Sequence, residues 1–235
     1  MNSIHPTALI DGEVELGSGN TIGPFVVITG PVTIGDGNWF GSGVIVGAPP
    51  EVRSWQHPSD AAERSSGNGV VIGSRNVFRE HVQIHQGWKD RTRVGDDVFI
   101  MNQCYLAHDS VVEDRATLAS SVLLAGHVHV GAGANLGLGV TVHQFRTIGA
   151  GAMVGMSSAV TRDVPPYAKA YGIPADVRGA NVVGMERAGV EPDVIRILSA
   201  IYAGEATDAD AIPEDVLRDP VADWITARIA QGDRA

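Results

Sequence analysis

Aliphatic or aromatic residues return at every sixth position along most of this chain, a period that fits neither a helix nor an alternating strand. The period resumes after a gap with Ile72, Phe78 and Ile84, and then continues in steps of six from Val94 to Val160. Repetition at a fixed short period is typical of solenoid proteins. The first block of these positions comprises Ile4, Ile10, Leu16, Ile22, Ile28, Ile34, Phe40 and Val46.

The six-residue period predicts a parallel β-helix in which three short strands form one coil of eighteen residues. The large aliphatic residue of each hexad points inward, where its burial stabilises the fold by about 1.5–3 kcal/mol. A glycine often follows it and is expected to ease the tight turns between strands. Small residues stand two positions before it, and Cys104 is one of them. Cys104 is therefore predicted to be a core residue and not a nucleophile.

Two segments interrupt the period, residues 48–69 and residues 87–93. The first is rich in proline and serine, and the second is short and charged. Loops ejected from a solenoid often cluster on one face and bind ligands. The alternative is that they are irregular insertions without a function.

The six-residue period ends after Val160. We therefore divide the chain into a β-helix domain, 1–174, and a small α-helical C-terminal region, 175–235. Proline and glycine punctuate the connection between the two. Val194, Leu198 and Ile201 follow helical spacing. Pro220 is expected to separate two further short helices.

Composition limits the classes of function. Aromatic residues make up only 6 % of the chain and there are 29 glycines, which favours a repetitive β architecture. The formal net charge of −10 argues against a nucleic-acid partner. The single cysteine fits a reducing compartment, and no signal or membrane segment is evident. These features predict a cytoplasmic protein.

Histidines and one carboxylate gather where coils should stack. His108, Gly126 and Gln144 are eighteen residues apart, so they are expected to form one column. Asp109 and His127 form the column beside it, and His143 adjoins Gln144. Histidine is the usual general base near neutral pH, and a backbone N–H beside glycine can approach an oxyanion. The alternative is that these histidines pack at a subunit interface.

Several motifs carry a resemblance to a known family. "LAHDSVV", "LLAGHVHVG", "VTVHQFRTIGAGAMVGMSSAVTRDVPPY" and "GIPADVRGANVVGMERAG" resemble, in this order, the UDP-N-acetylglucosamine O-acyltransferases of lipid A synthesis. The similarity covers about residues 4–205. It implies an all-β left-handed parallel β-helix built of hexapeptide repeats.

The resemblance also implies an activity and partners. The expected reaction is transfer of an acyl group from an acyl carrier protein thioester to the 3-hydroxyl of UDP-N-acetylglucosamine or a closely related nucleotide sugar. The expected assembly is a homotrimer with active sites between subunits. No permanently bound cofactor and no metal are expected.

Residue by residue, the resemblance implies that His108 is the general base, that Asp109 orients its ring and that Gly126 supplies an oxyanion-hole N–H. Met156 would limit the groove for the acyl chain and favour shorter chains. The residues assigned to binding the nucleotide sugar are His127, His143, Gln144, Asn181 and Arg187.

The chain departs from the family pattern around the expected sugar site. Val52 and Ser54 stand where the family has an acid and a lysine, Tyr105 replaces a second histidine, and Ala188 replaces a second arginine. The sugar, and O- versus N-acylation, therefore stay open.

The donor also stays open at this point. Acyl carrier proteins are acidic, and the net charge of this chain would repel one at long range. A local basic patch could reverse this. Its candidate members are Lys89, Arg91, Arg93, Arg146 and Arg162. The alternative donor is an acyl-CoA, used by a nucleotide-sugar N- or O-acyltransferase of the same fold.

Two further alternatives belong to other classes of protein. A γ-type carbonic anhydrase needs a second zinc-binding histidine five residues after the first, but Glu113 occupies that position after His108. A non-catalytic trimeric scaffold would also use hexad repeats. The order of the histidine motifs argues against the scaffold.

Overall fold

The computed structural model describes residues 1–57, 67–213 and 215–230, and for residues 215, 216 and 230 it describes the backbone alone. Part of the predicted insertion, residues 58–66, and part of the predicted C-terminal region, residues 214 and 231–235, lie outside the described residues.

The chain forms short strands in quick succession, followed by helices. The strands are β1 (Ser3–Ile4), β2 (Leu9–Asp11), β3 (Val14–Leu16), β4 (Thr21–Ile22), β5 (Val27–Thr29), β6 (Val32–Ile34), β7 (Trp39–Phe40), β8 (Ile45–Ala48), β9 (Val70–Ile72), β10 (Val77–Phe78), β11 (Gln83–His85), β12 (Thr92–Val94), β13 (Phe99–Ile100), β14 (Tyr105–Leu106), β15 (Val111–Val112), β16 (Thr117–Leu118), β17 (Leu123–Leu124), β18 (His129–Val130), β19 (Asn135–Leu136), β20 (Thr141–Val142), β21 (Thr147–Ile148), β22 (Met153–Val154), β23 (Ala159–Val160), β24 (Ala168–Gly172) and β25 (Ala175–Ala180). The helices are α1 (Val182–Ala188), α2 (Pro192–Tyr202) and α3 (Asp215–Ala230), with a 3₁₀ turn at Ala209–Ala211.

Every third strand lies in the same sheet, which produces the predicted left-handed parallel β-helix. The three sheets have ten, eight and seven strands among the described residues. Partners in the regular coils are eighteen residues apart, as in Leu106 with Leu124 and Leu124 with Val142. Many of the corners between strands have a left-handed residue, since twelve described non-glycine residues have φ between +54° and +62°.

The inward column forms the core as predicted, except at the N-terminal end. From Ile22 onward the hexad residues of the β-helix are at most 3 % exposed. Cys104 is 1 % exposed, as predicted, and burial raises the pKa of its thiol to about 11. Ile4, however, is 47 % exposed, and Ile10 and Leu16 are only half-buried. These residues belong to the first coil, which has a neighbouring coil on one side only.

The glycines that follow the inward residues are needed for a reason other than the predicted easing of turns. Gly17, Gly95 and Gly131, which follow inward residues, do not adopt positive φ. A Cβ at Gly95 would lie 2.3 Å from Asp114 Oδ1 of the next coil, and one at Gly131 would lie 2.6 Å from the Ala150 nitrogen. These glycines are needed because the neighbouring coil leaves no room for a side chain.

A ladder of buried asparagines joins the first coils. The Asn38 backbone N–H donates to Asn20 Oδ1 at 2.8 Å, and Asn38 Oδ1 accepts from the Asn76 backbone N–H at 2.9 Å. Asn38 Nδ2 also donates to the Gly73 carbonyl at 3.0 Å. Each side chain therefore satisfies polar groups of the neighbouring coils.

Asn38→Leu is expected to lower the free energy of unfolding by about 2–4 kcal/mol, because it leaves the buried Asn76 N–H and Gly73 carbonyl without these partners. Urea unfolding followed by circular dichroism measures the change. The exposed Asn135, replaced in the same way, is the control and is expected to cost little. Equal losses in the two variants would contradict a structural role for the ladder.

The C-terminal region differs from its prediction in two respects. Residues 175–180 form β25, which pairs antiparallel with β24, so the helices begin only at Val182. Pro220 lies inside α3 and does not separate two helices. Buried residues on both sides of it, Leu217, Val221 and Trp224, hold the helix together through tertiary packing. The division into two domains at residue 174 stays a prediction.

The α2 prediction is confirmed, since Val194, Leu198 and Ile201 are its buried face. The sequence did not predict α1, which is only seven residues long. Among the described residues there is no helix whose length and apolar character would let it cross a membrane.

Candidate active site

The short interruption of the hexad period wraps around Asp109. The backbone N–H groups of Trp88, Lys89 and Asp90 donate to Asp109 Oδ1 at 3.1, 2.8 and 2.6 Å. The Asp109 N–H donates to Thr92 Oγ1 at 3.0 Å. One carboxylate oxygen is thus fully occupied by the inserted loop, which fixes the orientation of the other.

The other carboxylate oxygen, Asp109 Oδ2, faces two imidazoles. His108 Nδ1 lies 2.7 Å from it, within hydrogen-bond distance, and His127 Nε2 lies 3.5 Å from it. The Asp109 side chain is 2 % exposed, whereas the His108 side chain keeps 14 % of its surface in solvent. The His108–Asp109 contact leaves His108 Nε2 as the ring nitrogen available to a substrate.

Electrostatics keep Asp109 ionised. Burial pushes the pKa of its carboxyl upward, but the hydrogen bonds from the Asp90 amide, the His108 ring and the Lys89 and Trp88 amides outweigh burial. The pKa therefore lies below its ordinary value, so the group is negative at neutral pH. A negative carboxylate beside His108 holds a proton on Nδ1 of that ring.

Aromatic contacts hold the two imidazoles. The His108 and His127 rings meet edge to face at 5.1 Å, and Trp88 meets His108 edge to face at 6.0 Å. The Phe145 ring stacks on His127 at 4.5 Å. Asp109, His127 and Phe145 share the left-handed conformation, and they follow one another at intervals of eighteen residues. The helical repeat thus brings the cluster together.

Gly126 lies directly against the His108 ring. A Cβ at residue 126 would be 2.5 Å from His108 Cε1 and 2.7 Å from His108 Nε2, so only glycine leaves this ring in place. Among the described residues the Gly126 N–H has no hydrogen-bond acceptor. The same holds for the His108 and Gln144 N–H groups at the same position of adjacent coils. The distinctive feature of Gly126 is that it lacks a side chain, which lets the His108 ring lie against its backbone.

His143 and Gln144 lie one coil further along, as their spacing predicts. The Phe145 N–H donates to the Gly126 carbonyl at 3.1 Å, and the His127 N–H donates to the His108 carbonyl at 3.1 Å. The side chains of His143 and Gln144 are exposed. His143 Nδ1 lies 3.1 Å from the Gln144 carbonyl and does not join the His108 cluster.

The remaining predicted binding residues lie away from the cluster along the chain. Asn181 caps α1, because its Oδ1 accepts from the Gly184 N–H at 3.2 Å and its Nδ2 donates to the Gly151 carbonyl at 2.9 Å. Arg187 is exposed in the last turn of α1. Met156 is 70 % exposed, so its side chain is free to contact another molecule. Contact of these residues with substrate stays a prediction.

One departure from the family pattern, Tyr105, belongs to a connected group of contacts. Tyr105 donates a hydrogen bond to Glu51 at 2.5 Å, which ties the start of the 48–69 segment to β14. His85 packs against Tyr105 at 5.1 Å and its Nδ1 lies 2.7 Å from the Pro49 carbonyl. Sequence reasoning singled out Tyr105 but missed Glu51 and His85.

Two contributors to the site itself were also missed, Thr92 and Trp88. Both lie at the interruption of the hexad period that the sequence did identify. No residue pattern indicated that this loop would fold back onto a carboxylate about twenty residues further along.

The members of the predicted basic patch have different surroundings. Arg146 and Arg162 line a cavity of about 280 Å³ beside α3, together with Trp224 and Arg228. Lys89 lies over the Trp88 ring at 3.8 Å, and Arg93 pairs with Asp90 at 3.6 Å. Lys89 adjoins the His108 cluster, because its backbone N–H donates to Asp109 Oδ1. The patch as a docking surface for the donor stays a prediction.

The fold is a left-handed parallel β-helix of hexapeptide repeats, and its candidate site is a histidine held by a buried carboxylate. Residues 163–204 match a family model described as UDP N-acetylglucosamine O-acyltransferase, domain 2. An acyl-[acyl-carrier-protein]–UDP-N-acetylglucosamine O-acyltransferase of Pseudomonas putida is 42 % identical over 160 residues, which are 65 % of this chain and 61 % of the relative. One of Burkholderia lata is 39 % identical over 148 residues, 62 % of this chain and 56 % of the relative.

Solved structures agree with the sequence matches. The UDP-N-acetylglucosamine O-acyltransferase of Moraxella catarrhalis superposes with a TM-score of 0.81 at 28 % identity, covering 94 % of this chain and 96 % of that one. The enzyme of Francisella novicida gives 0.80 at 26 % identity, covering 94 % and 88 %. The chain is thus similar in sequence and in fold to UDP-N-acetylglucosamine O-acyltransferases. The sequence matches span about three fifths of the length of the curated relatives.

Proposed function

We propose that this protein transfers an acyl group from an acyl carrier protein thioester to the 3-hydroxyl of UDP-N-acetylglucosamine or a closely related nucleotide sugar, as a step of lipid A synthesis. The observation that carries the proposal is the His108–Asp109 pair. Asp109 Oδ2 lies against His108 Nδ1, its Oδ1 is fixed by three loop amides, and the His108 ring lies against Gly126. The relatives are named for this donor and this sugar, so the alternative with acyl-CoA is not favoured.

The mechanism needs one base and one N–H donor. His108 Nε2 accepts the proton of the sugar hydroxyl while the hydroxyl oxygen attacks the thioester carbonyl carbon. The Gly126 N–H stabilises the resulting oxyanion. Collapse breaks the carbon–sulfur bond, and the proton on His108 passes to the leaving thiolate. Asp109 is a positioning residue, because it acts through the His108 ring.

The substrate-binding roles follow the same proposal. His127 lines the space beside the base, and His143, Gln144, Asn181 and Arg187 contact the nucleotide sugar. Arg187 supplies positive charge for the diphosphate. A homotrimer would bring these residues to a cleft between subunits. Outward-facing apolar side chains on the strands, at Leu9, Leu123 and Met153, support such an assembly.

The activity is tested with a thioester-release assay on the purified protein. UDP-N-acetylglucosamine is supplied with a panel of acyl carrier protein and CoA thioesters of different chain length. Turnover with the carrier-protein thioesters supports the proposal. Turnover with CoA thioesters alone, or with no nucleotide sugar present, would refute it. We also expect a cytoplasmic location, which fractionation of the host cell checks.

Asp109→Asn is expected to lower kcat by about 10²–10⁴-fold, because the amide oxygen replaces Oδ1 towards the loop and the amide NH₂ then faces His108 Nδ1. Because the NH₂ group donates to His108 Nδ1, the ring proton of His108 must lie on Nε2. Nε2 is the atom that has to accept the proton of the sugar hydroxyl. The lowered pKa of Asp109 means that its charge contributes stability above the ordinary aspartate pKa, and that this contribution is lost as pH falls through the folded value.

Steady-state kinetics and thermal unfolding between pH 3 and pH 7 measure both effects. The asparagine variant is expected to show a smaller dependence of stability on acid pH than the wild type. Glu113→Gln is the matched control, because Glu113 pairs with His129 in another coil. Wild-type kcat in Asp109→Asn would contradict the positioning role.

Met156→Gly is expected to shift the preferred donor towards longer acyl chains, by about tenfold in the ratio of kcat/KM between a long and a short chain. The physical reason is that removal of this exposed side chain lengthens the space for the acyl tail. Competition between two carrier-protein thioesters measures the ratio. The control is Met153→Ala, also exposed and three residues away. An unchanged ratio would refute the role of Met156.

A further inference from the structure

The His108 cluster has the donor atoms of a three-ligand metal site. One possible ligand atom from each of His108, Asp109 and His127 lies within 4.8 Å of the other two. Asp109 Oδ2 lies 2.7 Å from His108 Nδ1 and 3.5 Å from His127 Nε2. Imidazole nitrogen and carboxylate oxygen are typical zinc ligands, at about 2.0–2.2 Å from the ion. Contacts of 2.7 and 3.5 Å between these donors require only small side-chain movements to place all three around one ion.

The surroundings hold these ligands in place. Asp109 Oδ1 accepts three backbone N–H groups, which fixes the plane of the carboxylate. Phe145 stacks on the His127 ring with an interplanar angle of 11°, and Trp88 meets the edge of His108. Such outer contacts orient metal ligands and raise affinity, typically by 10–100-fold in comparison with sites that lack them.

We propose that this cluster binds Zn²⁺, or a transition-metal ion of similar preference, as a reversible inhibitor and not as a resident cofactor. His108, Asp109 and His127 would be its ligands, and water would complete a tetrahedral shell. The site is distinct from the zinc arrangement considered from the sequence, which required a histidine at the position of Glu113.

Inhibition follows from the proton on the His108 ring, and this step rests on the proposed function. In the neutral ring beside Asp109 the proton is on Nδ1 and Nε2 is free to act as a base. Zn²⁺ occupies Nδ1, and the displaced proton returns to Nε2 through water, so the ring stays neutral. An imidazole protonated on Nε2 cannot accept the proton of the sugar hydroxyl.

The chain contains a control for this inference. His129 Nε2 lies 2.8 Å from Glu113 Oε1, a second histidine–carboxylate pair with nearly the same separation. Both of its side chains are 44 % exposed. Because this pair has two ligands instead of three and no buried carboxylate, it is expected to bind metal weakly.

Co²⁺ titration of EDTA-treated protein tests the binding independently of activity. One equivalent per chain is expected to give the intense visible bands of tetrahedral cobalt, and Zn²⁺ is expected to displace it. His127→Asn is expected to abolish these bands, while His129→Ala keeps them. Asparagine is chosen because residue 127 has φ +61°, a conformation that asparagine tolerates. Weak octahedral bands, or equal bands in the His127 variant, would overturn the inference.

Inhibition is measured in the same assay with buffered free Zn²⁺. The wild type is expected to lose activity and to regain it with EDTA, and the residual activity of His127→Asn is expected to need at least about tenfold more Zn²⁺ for half-inhibition. Cobalt binding without turnover in EDTA would refute the proposed function but leave the metal site. Turnover in EDTA without cobalt binding would refute the metal site alone.

Discussion

His108→Ala is expected to lower the turnover of the proposed acyl transfer by about 10²–10⁴-fold, the range that a positioned general base contributes. The substitution removes the imidazole whose Nδ1 is held by a buried carboxylate and whose ring lies against Gly126. KM for the nucleotide sugar is expected to change much less than kcat, because the base acts mainly in the transition state.

Steady-state kinetics with UDP-N-acetylglucosamine and an acyl carrier protein thioester measures this loss. His129→Ala is the matched control, since it removes another carboxylate-paired histidine from a different coil. Thermal unfolding and light scattering establish that the variants keep the fold and assembly of the wild type. A His108→Ala enzyme within tenfold of the wild type would refute the catalytic role of this residue.

Gly126→Ala is expected to lower kcat by about 10²-fold or more, although it adds a single methyl group. The new Cβ would lie 2.5 Å from His108 Cε1, so the ring must move. A displacement of about 1 Å in a reacting group is enough for a loss of this size. The backbone of Gly126 is not left-handed, so the effect comes from the contact with His108 and not from strain at the glycine.

A double-mutant cycle separates these causes. Gly126→Ala is also expected to lower the free energy of unfolding. In the His108→Ala background this cost is expected to disappear, because the ring that the new methyl group strikes is gone. Gly133→Ala is the control for backbone strain, since Gly133 has φ +66° and open space around it. It is expected to lose some stability and to keep its activity. An additive cycle for residues 108 and 126 would contradict the steric explanation.

The sequence predicted the coil because its period is local and repeats many times. The inward positions from Ile22 to Val160, the buried Cys104 and the column from His108 through Gly126 to Gln144 all follow from a repeat of eighteen residues. The prediction failed at Ile4 and Pro220. The burial of Ile4 depends on a neighbouring coil that the first coil lacks on one side. The continuity of α3 through Pro220 depends on the tertiary packing of the helix.

The site was predicted in its members but not in its arrangement. The motifs named His108, Asp109, Gly126 and His127, and the structure brings these four together. The loop amides that hold Asp109 could not be inferred, because a backbone N–H carries no sequence signature. Glu51 was missed for a related reason, as its contact with Tyr105 spans 54 residues and obeys no repeat.

By itself the sequence determined the β-helix, its coil length and the column that carries the histidines, because side chains at a fixed spacing must stack when each strand pairs with the next coil. Only the tertiary structure decided which oxygen of Asp109 is occupied, which nitrogen of His108 is free and why residue 126 must be glycine. These features depend on distances between groups in different coils and in an inserted loop, which no local pattern of residues specifies.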